Sequence, residues 1–173
     1  MATWTSVVTD KGAALQAKQI DGATITFTKI VSGTGSVSLI NLKEQSAITD
    51  IKQTLSMEIL KMGDKQYTIT VNLSNSNVIN VYRLSQIGFY ANDPDEGEIL
   101  FAIAQIDEPK TIPTHANSPG YNIEFAFTFK NDNNSHIEIT PDFAAYMTMG
   151  GAEELINQKL DDSIELGTIV IME

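Results

Sequence analysis

The chain has 173 residues, 11 Lys+Arg against 22 Asp+Glu for a formal net charge of -11, and no cysteine. One domain of this length, or one with a short appendage, buries about 68–70% of its unfolded surface without needing staples. The charge argues against a nucleic-acid groove, which needs clustered cations, and the missing thiols exclude disulfides and thiol chemistry.

The opening MATWTSVVTDKG has no basic n-region and no apolar h-region, so no secretory signal is expected. No apolar run approaches the ~20 residues of a membrane helix. The expectation is a soluble protein made in the cytosol, with no membrane insertion.

Residues 1–20 read as a short amphipathic helix behind a polar cap. Thr9 caps it, Asp10 sits in the first turn where the helix dipole favours an anion, and Ala13, Ala14, Leu15 and Ala17 follow. Trp4 is expected to pin the start of this helix against the core. Asp21-Gly22 turns into a strand over 23–30, where Thr alternates with Ile25 and Phe27. That strand ends in Ser32-Gly33-Thr34-Gly35-Ser36. The Gly-x-Gly is not a phosphate loop: Ser38 stands at the third glycine position and no Gly-Lys-Ser/Thr follows.

Residues 37–54 show no firm period; Leu39, Leu42, Ile48, Ile51 and Leu55 suit helical turns or an irregular connection. Strands are predicted over 55–62 and 66–73, with Gly63-Asp64 between them. Asn72, Asn75, Asn77 and Asn80 give the following loop its polarity.

The most informative stretch is Leu84–Ile106. Ile87, Phe89 and Ala91 alternate on one arm, and Ile99–Ala104 form an apolar run suited to a strand covered on both faces. Asn92-Asp93-Pro94-Asp95-Glu96-Gly97 between them must turn, since Asn and Asp bond nearby backbone, Pro presets φ and Gly accepts positive φ. Residues 108–120 read as a loop, because Pro109, Pro113 and Pro119 cannot donate to a ladder. Tyr121, Ile123, Phe125, Phe127 and Phe129 then alternate with smaller or polar residues in the clearest strand of the chain. Asn131–Asn134 turns it back into 136–140.

From Pro141 the character changes. A helical pattern over Phe143–Met149 is broken by Gly150-Gly151. Ile156, Leu160 and Ile164 then recur four apart with Leu155 beside them, Gly167 stops the helix, and Thr168–Met172 reads as a strand. The fold class is therefore α+β, mostly β: an antiparallel sandwich or barrel-like sheet with an N-terminal helix and a C-terminal helical tail. Residues 1–141 form the β-rich domain. Residues 142–173 form a tail that docks on its own domain, on copies of itself or on a partner's sheet edge.

Candidate chemistry is sparse. His115 and His136 lie on or beside turns without metal-ligand spacing, and neither HExxH nor GxSxG occurs. A Ser-His-Asp site can assemble from distant residues, but nothing in the sequence marks one. Asp93, Asp95, Glu96 and Glu98 supply oxygens of the kind Ca²⁺ takes. The position where a calcium loop closes with Glu holds Ala104, so a solvated turn is expected, and calcium calorimetry releasing appreciable heat is the test. No catalytic residue, metal or cofactor is expected, and the chain is not expected to be an enzyme.

The order of these pieces resembles the N-terminal domain of phage tail-collar fibre proteins. The resemblance is carried by Trp4-x-x-Val7-Val8-Thr9-x-x-Gly12 with Leu15 and Ala17, the Gly22-to-Phe27 strand leading to Gly33-Thr34-Gly35, Leu84-x-x-Ile87-Gly88-Phe89-Tyr90-Ala91, and Glu98–Ala104. It covers about residues 1–160. Family members continue into a long trimeric shaft and receptor-binding tip, which this sequence lacks; that favours an adaptor or short fibre base.

The resemblance implies a structural protein of a phage tail or phage-like contractile particle, assembled in the bacterial cytoplasm and located at the baseplate. It implies docking to baseplate proteins and a tail fibre or receptor-binding protein, with a homotrimer expected. Baseplate-facing candidates are Trp4, Thr9, Gly12, Gly33 and Gly35. Candidates for the fibre or oligomer interface are Leu155, Ile156, Leu160, Ile164, Ile169 and Ile171. The alternative is a receptor- or carbohydrate-binding β-module whose Tyr82, Tyr90 and Tyr121 stack on sugar rings.

Overall fold

A computed structural model describes residues 2–19, 25–61, 66–130 and 137–140. The elements run β1 (Trp4–Val8), α1 (Asp10–Gln19), β2 (Thr26–Gly33), a 3-10 helix (Leu39–Glu44), β3 (Ile51–Lys61), β4 (Gln66–Ser74), β5 (Tyr82–Asp93), β6 (Gly97–Ile112), β7 (Asn122–Lys130) and β8 (Ile137–Thr140). The strands form one antiparallel sheet in the order β1-β6-β5-β2-β3-β4-β7-β8. The sheet curls into a half-barrel, as the mostly-β, barrel-like expectation requires.

Aromatic packing shows the curl. Phe89 of β5 meets Phe127 of β7 edge-on with centroids 4.6 Å apart, and Phe27 of β2 lies 5.6 Å from Phe129 of β7. Neither pair belongs to neighbouring strands, so both contacts cross the interior. Period-two alternation puts Ile69, Val71 and Leu73 of β4 and Ile123, Phe125, Phe127 and Phe129 of β7 on that inner face. The helix adds Leu15 to the same core.

The central hairpin forms where its sequence places it. Gly97 has φ +81°, a conformation that an L side chain resists, directly after the Pro94–Glu96 turn. Its first arm is buried on both faces, which alternation alone does not indicate. Tyr90 and the outer-face residues Val31, Leu100 and Ile103 form a second apolar cluster with Leu42 and Ile48 of the 34–50 segment. That segment is a strap across the outer face of β2, β5 and β6.

Three expectations need correction. Residues 4–8 are a strand paired with β6, Trp4 opposite Ile106 and Val8 opposite Ala102, rather than a lead-in to the helix. Trp4 rests edge-on against Phe125 at 5.6 Å, so it pins the barrel seam. The supposed loop after residue 107 is still strand to Ile112, because Leu84 pairs with Lys110 while Gln86 pairs with Gln105. The surplus residues bulge out between, and Pro109 sits in that bulge, where no ladder bond is asked of it. Finally, β3 starts four residues early, at Ile51. The turns predicted at 21–22, 63–64 and 131–134, and the tail over 142–173, lie outside the described residues.

Candidate functional site

The N-terminal candidates form a joint. The Thr9 hydroxyl accepts the Gly12 N–H at 3.0 Å as a helix cap and donates to the Leu100 carbonyl, while the Thr9 N–H donates to the Phe101 carbonyl at 3.0 Å. Thr9 is 0% exposed. A Cβ on Gly12 would stand 2.0 Å from the Phe101 oxygen, so only glycine lets the helix rest this closely on β6. Gly33 and Gly35 do the same for the strap: an added Cβ would meet Ile48 Cγ2 at 2.4 Å and Thr49 Cβ at 2.7 Å.

Thr9, Gly12 and Gly33 are therefore buried, with Trp4 and Gly35 half-buried. Their burial is what the structure adds to their place among the baseplate-facing candidates. They have little or no surface to offer, because the chain's own backbone occupies the space beside them. A partner at this end meets their exposed neighbours.

The strap is tied down by polar side chains that the sequence reading passed over. Gln105 works as a strand mimic: its Oε1 accepts the Val37 N–H at 2.9 Å and its Nε2 donates to the Val37 carbonyl at 2.8 Å. Gln86 Nε2 donates to the same Oε1, Ser85 donates to the Gly35 carbonyl, and the Tyr90 hydroxyl accepts the Ile48 N–H. Two buried glutamines inside otherwise apolar strands were the available signal, since a buried amide demands partners.

The acidic turn is wired to lysines. Lys18 of α1 reaches both Asp93 and Asp95, Lys11 reaches Glu96, and Lys29 reaches Glu98. Asp93, 3% exposed, also accepts the N–H groups of Asp95 and Glu96, which shapes the turn. The Lys18 ammonium and these bonds hold the Asp93 carboxyl below its ordinary value, and the Asp93 and Asp95 carboxylates raise Lys18. Lys29 and Thr28 lower Glu98 in the same way. Among the described residues no group of three or more His, Asp or Glu is arranged to hold a metal ion.

The tyrosines proposed for sugar stacking are not displayed. Tyr82 and Tyr90 are buried, and Tyr121 is half-buried against the core. The Tyr82 hydroxyl sits between Ser32 and Gln53, and burial raises it above the ordinary tyrosine value. His115 is exposed on a turn, and its backbone N–H donates to the Val78 carbonyl. The sequence-predicted interface residues Leu155, Ile156, Leu160, Ile164, Ile169 and Ile171 lie outside the described residues.

What the surface does offer is aliphatic. Ile79 is 86% and Ile40 82% exposed, with Leu39, Val81, Ile51 and Ile59 about half exposed. Ile79 and Val81 flank an open cleft of about 210 Å³ that Lys52, Gln53, Asn77 and Asn80 also line. The loop carrying Ile79 is held by Asn75, whose buried amide donates to the carbonyls of Pro113, Thr114 and Ser118. The Ile79 loop thus presents its exposed aliphatic groups on a fixed frame. No family model, curated protein or solved structure matches this chain.

Proposed function

We propose that the chain is a structural component of a phage tail or phage-like contractile particle, an adaptor or short fibre base that joins a tail fibre or receptor-binding protein to the baseplate. One observation supports the reading above others. Stretches that carry the resemblance to tail-collar fibre proteins, far apart in sequence, meet in space at two neighbouring contacts. Thr9 and Gly12 rest on Leu100 and Phe101, and Gly33 and Gly88 both close on Ile48. Residues shared because a fold needs them are expected to meet in this way.

The mechanism is docking, not catalysis. On this reading the N-terminal side and the strap face the baseplate, and residues 142–173 engage the fibre partner, in a homotrimer once assembled. The protein resides in the particle's tail after assembly in the bacterial cytoplasm. Immunogold labelling of purified tail particles tests the reading: label at the baseplate edge is expected, and label confined to distal fibre tips makes the chain a receptor-binding protein instead. Deleting Leu166–Glu173 is expected to abolish fibre pairing while the domain stays folded; retained pairing refutes the assignment of that segment.

A further inference from the structure

Midway along its length β3 exchanges neighbours. Ile51–Leu55 pair with β2, from Gly33 opposite Ile51 to Ile30 opposite Leu55. The ladder with β4 begins only at Ser56 opposite Asn72. Over its first five residues β3 therefore has a second edge that no strand among the described residues fills, because the β3–β4 ladder stops at Asn72, while Leu73 and Ser74 continue only on the other side of β4, with β7. The cleft between Lys52, Gln53 and the Asn77–Tyr82 loop lies along this edge.

We propose that this edge is a strand-addition site for an extended segment of a partner protein, carrying alternate aliphatic residues and no carboxylates. An edge of alternately outward N–H and C=O groups is chemically specific for another extended backbone. Ile51, Ile79 and Val81 beside it offer aliphatic contacts for every second side chain, and Gln53, Asn77 and Asn80 offer amides to the polar ones between. Edge strands are commonly blunted by a lysine. Here the Lys52 ammonium is drawn to Asp50 at 2.8 Å, so its charge is balanced within the site.

Charge selects the occupant. A chain with formal charge -11 repels a second copy of itself, and the strand-like Thr168–Met172 of its own tail is flanked by Glu165 and Glu173 in a segment with seven carboxylates against one lysine. A neutral or basic segment from another protein suffers neither penalty. The inference stands apart from the phage reading, since it rests on main-chain geometry and charge alone.

The test is hydrogen exchange and amide chemical shifts on the full-length protein, with a short synthetic peptide alternating valine and threonine between terminal lysines. Added peptide is expected to shift the amides of Ile51–Leu55 and Asn77–Tyr82 and to slow exchange of the outward ones about tenfold. Val81→Asp, on a half-exposed side chain, is expected to weaken binding about tenfold without unfolding the protein. Shifts elsewhere overturn the proposal, as does equal binding of the same peptide with terminal glutamates. Protection already present without peptide overturns it too: if independent of protein concentration, the chain's own tail fills the edge; if rising with concentration, a second copy does.

Discussion

Single atoms decide where α1 can sit. Gly12→Ala drives a methyl into the Phe101 carbonyl, and forced overpacking of this kind costs about 1–3 kcal/mol or more. Ala14→Ser on the exposed side of the helix should cost well under 1 kcal/mol. Thr9→Val removes the cap and the hydroxyl bond to the Leu100 carbonyl while keeping the shape and the main-chain bond to Phe101, a loss of about 1–3 kcal/mol. Urea denaturation of the three variants checks the ranking. Asp93 gives a pH signature. Its folded-state value is depressed from 3.8, so its contribution is complete above the ordinary carboxylate range and disappears as pH falls through the folded value. Lys18 is raised from 10.5, so its share persists below that value and is lost only in stronger alkali. Asp93→Asn is expected to lower stability at pH 7 and to flatten the slope of stability against pH below about pH 5, measured by thermal melts across that range.

Among the elements the strap is the one whose sequence hides its role. The 3-10 helix repeats every three residues, too briefly for a helical pattern to register, and only Val37, Leu42 and Ile48 turn inward. The hairpin was legible because its period, its turn residues and its burial all agree. β1 was not legible, since a five-residue strand with half-buried side chains reads as a preamble to the cap signal that follows it. The continuation of β6 past Pro109 was hidden by a bulge that no local rule announces. What made the strap unreadable is that long-range side-chain amides hold it as much as apolar contact does. Gln105→Leu leaves the Val37 N–H, the Val37 carbonyl and the Gln86 amide without their partner, at about 1–3 kcal/mol for each buried group left unpaired. Faster amide exchange confined to residues 34–50, with the hairpin unchanged, is the expected reading. Ile48→Ala empties the pocket between Gly33 and Gly88 and is expected to cost about 2–5 kcal/mol.

For the molecule as a whole, the half-barrel divides its outer surface. The β1-β6-β5-β2 side is apolar and strapped, whereas the outer residues of β4 and β7, including Thr68, Thr70, Asn72, Glu124 and Thr128, are short or polar and carry no cover among the described residues. The strand order also has a consequence in time. Trp4 finds its partner only at Ile106, and β2 waits for β5. At roughly 5–20 residues per second the ribosome takes several seconds to supply β6 after β1 has emerged. Through that interval the helix has no sheet to rest on and Gly12 has no carbonyl to approach. The first strand made is thus locked only after the sixth, and folding dominated by such distant pairings is expected on the millisecond-to-second scale. Pulse-labelling during refolding should find the amides of Phe89 and Ala102 protected before those of Thr5 and Val7. The N-terminal segment is then a clasp that closes only once β6 is in place, so a chain cut short before β6 cannot present the assembled joint.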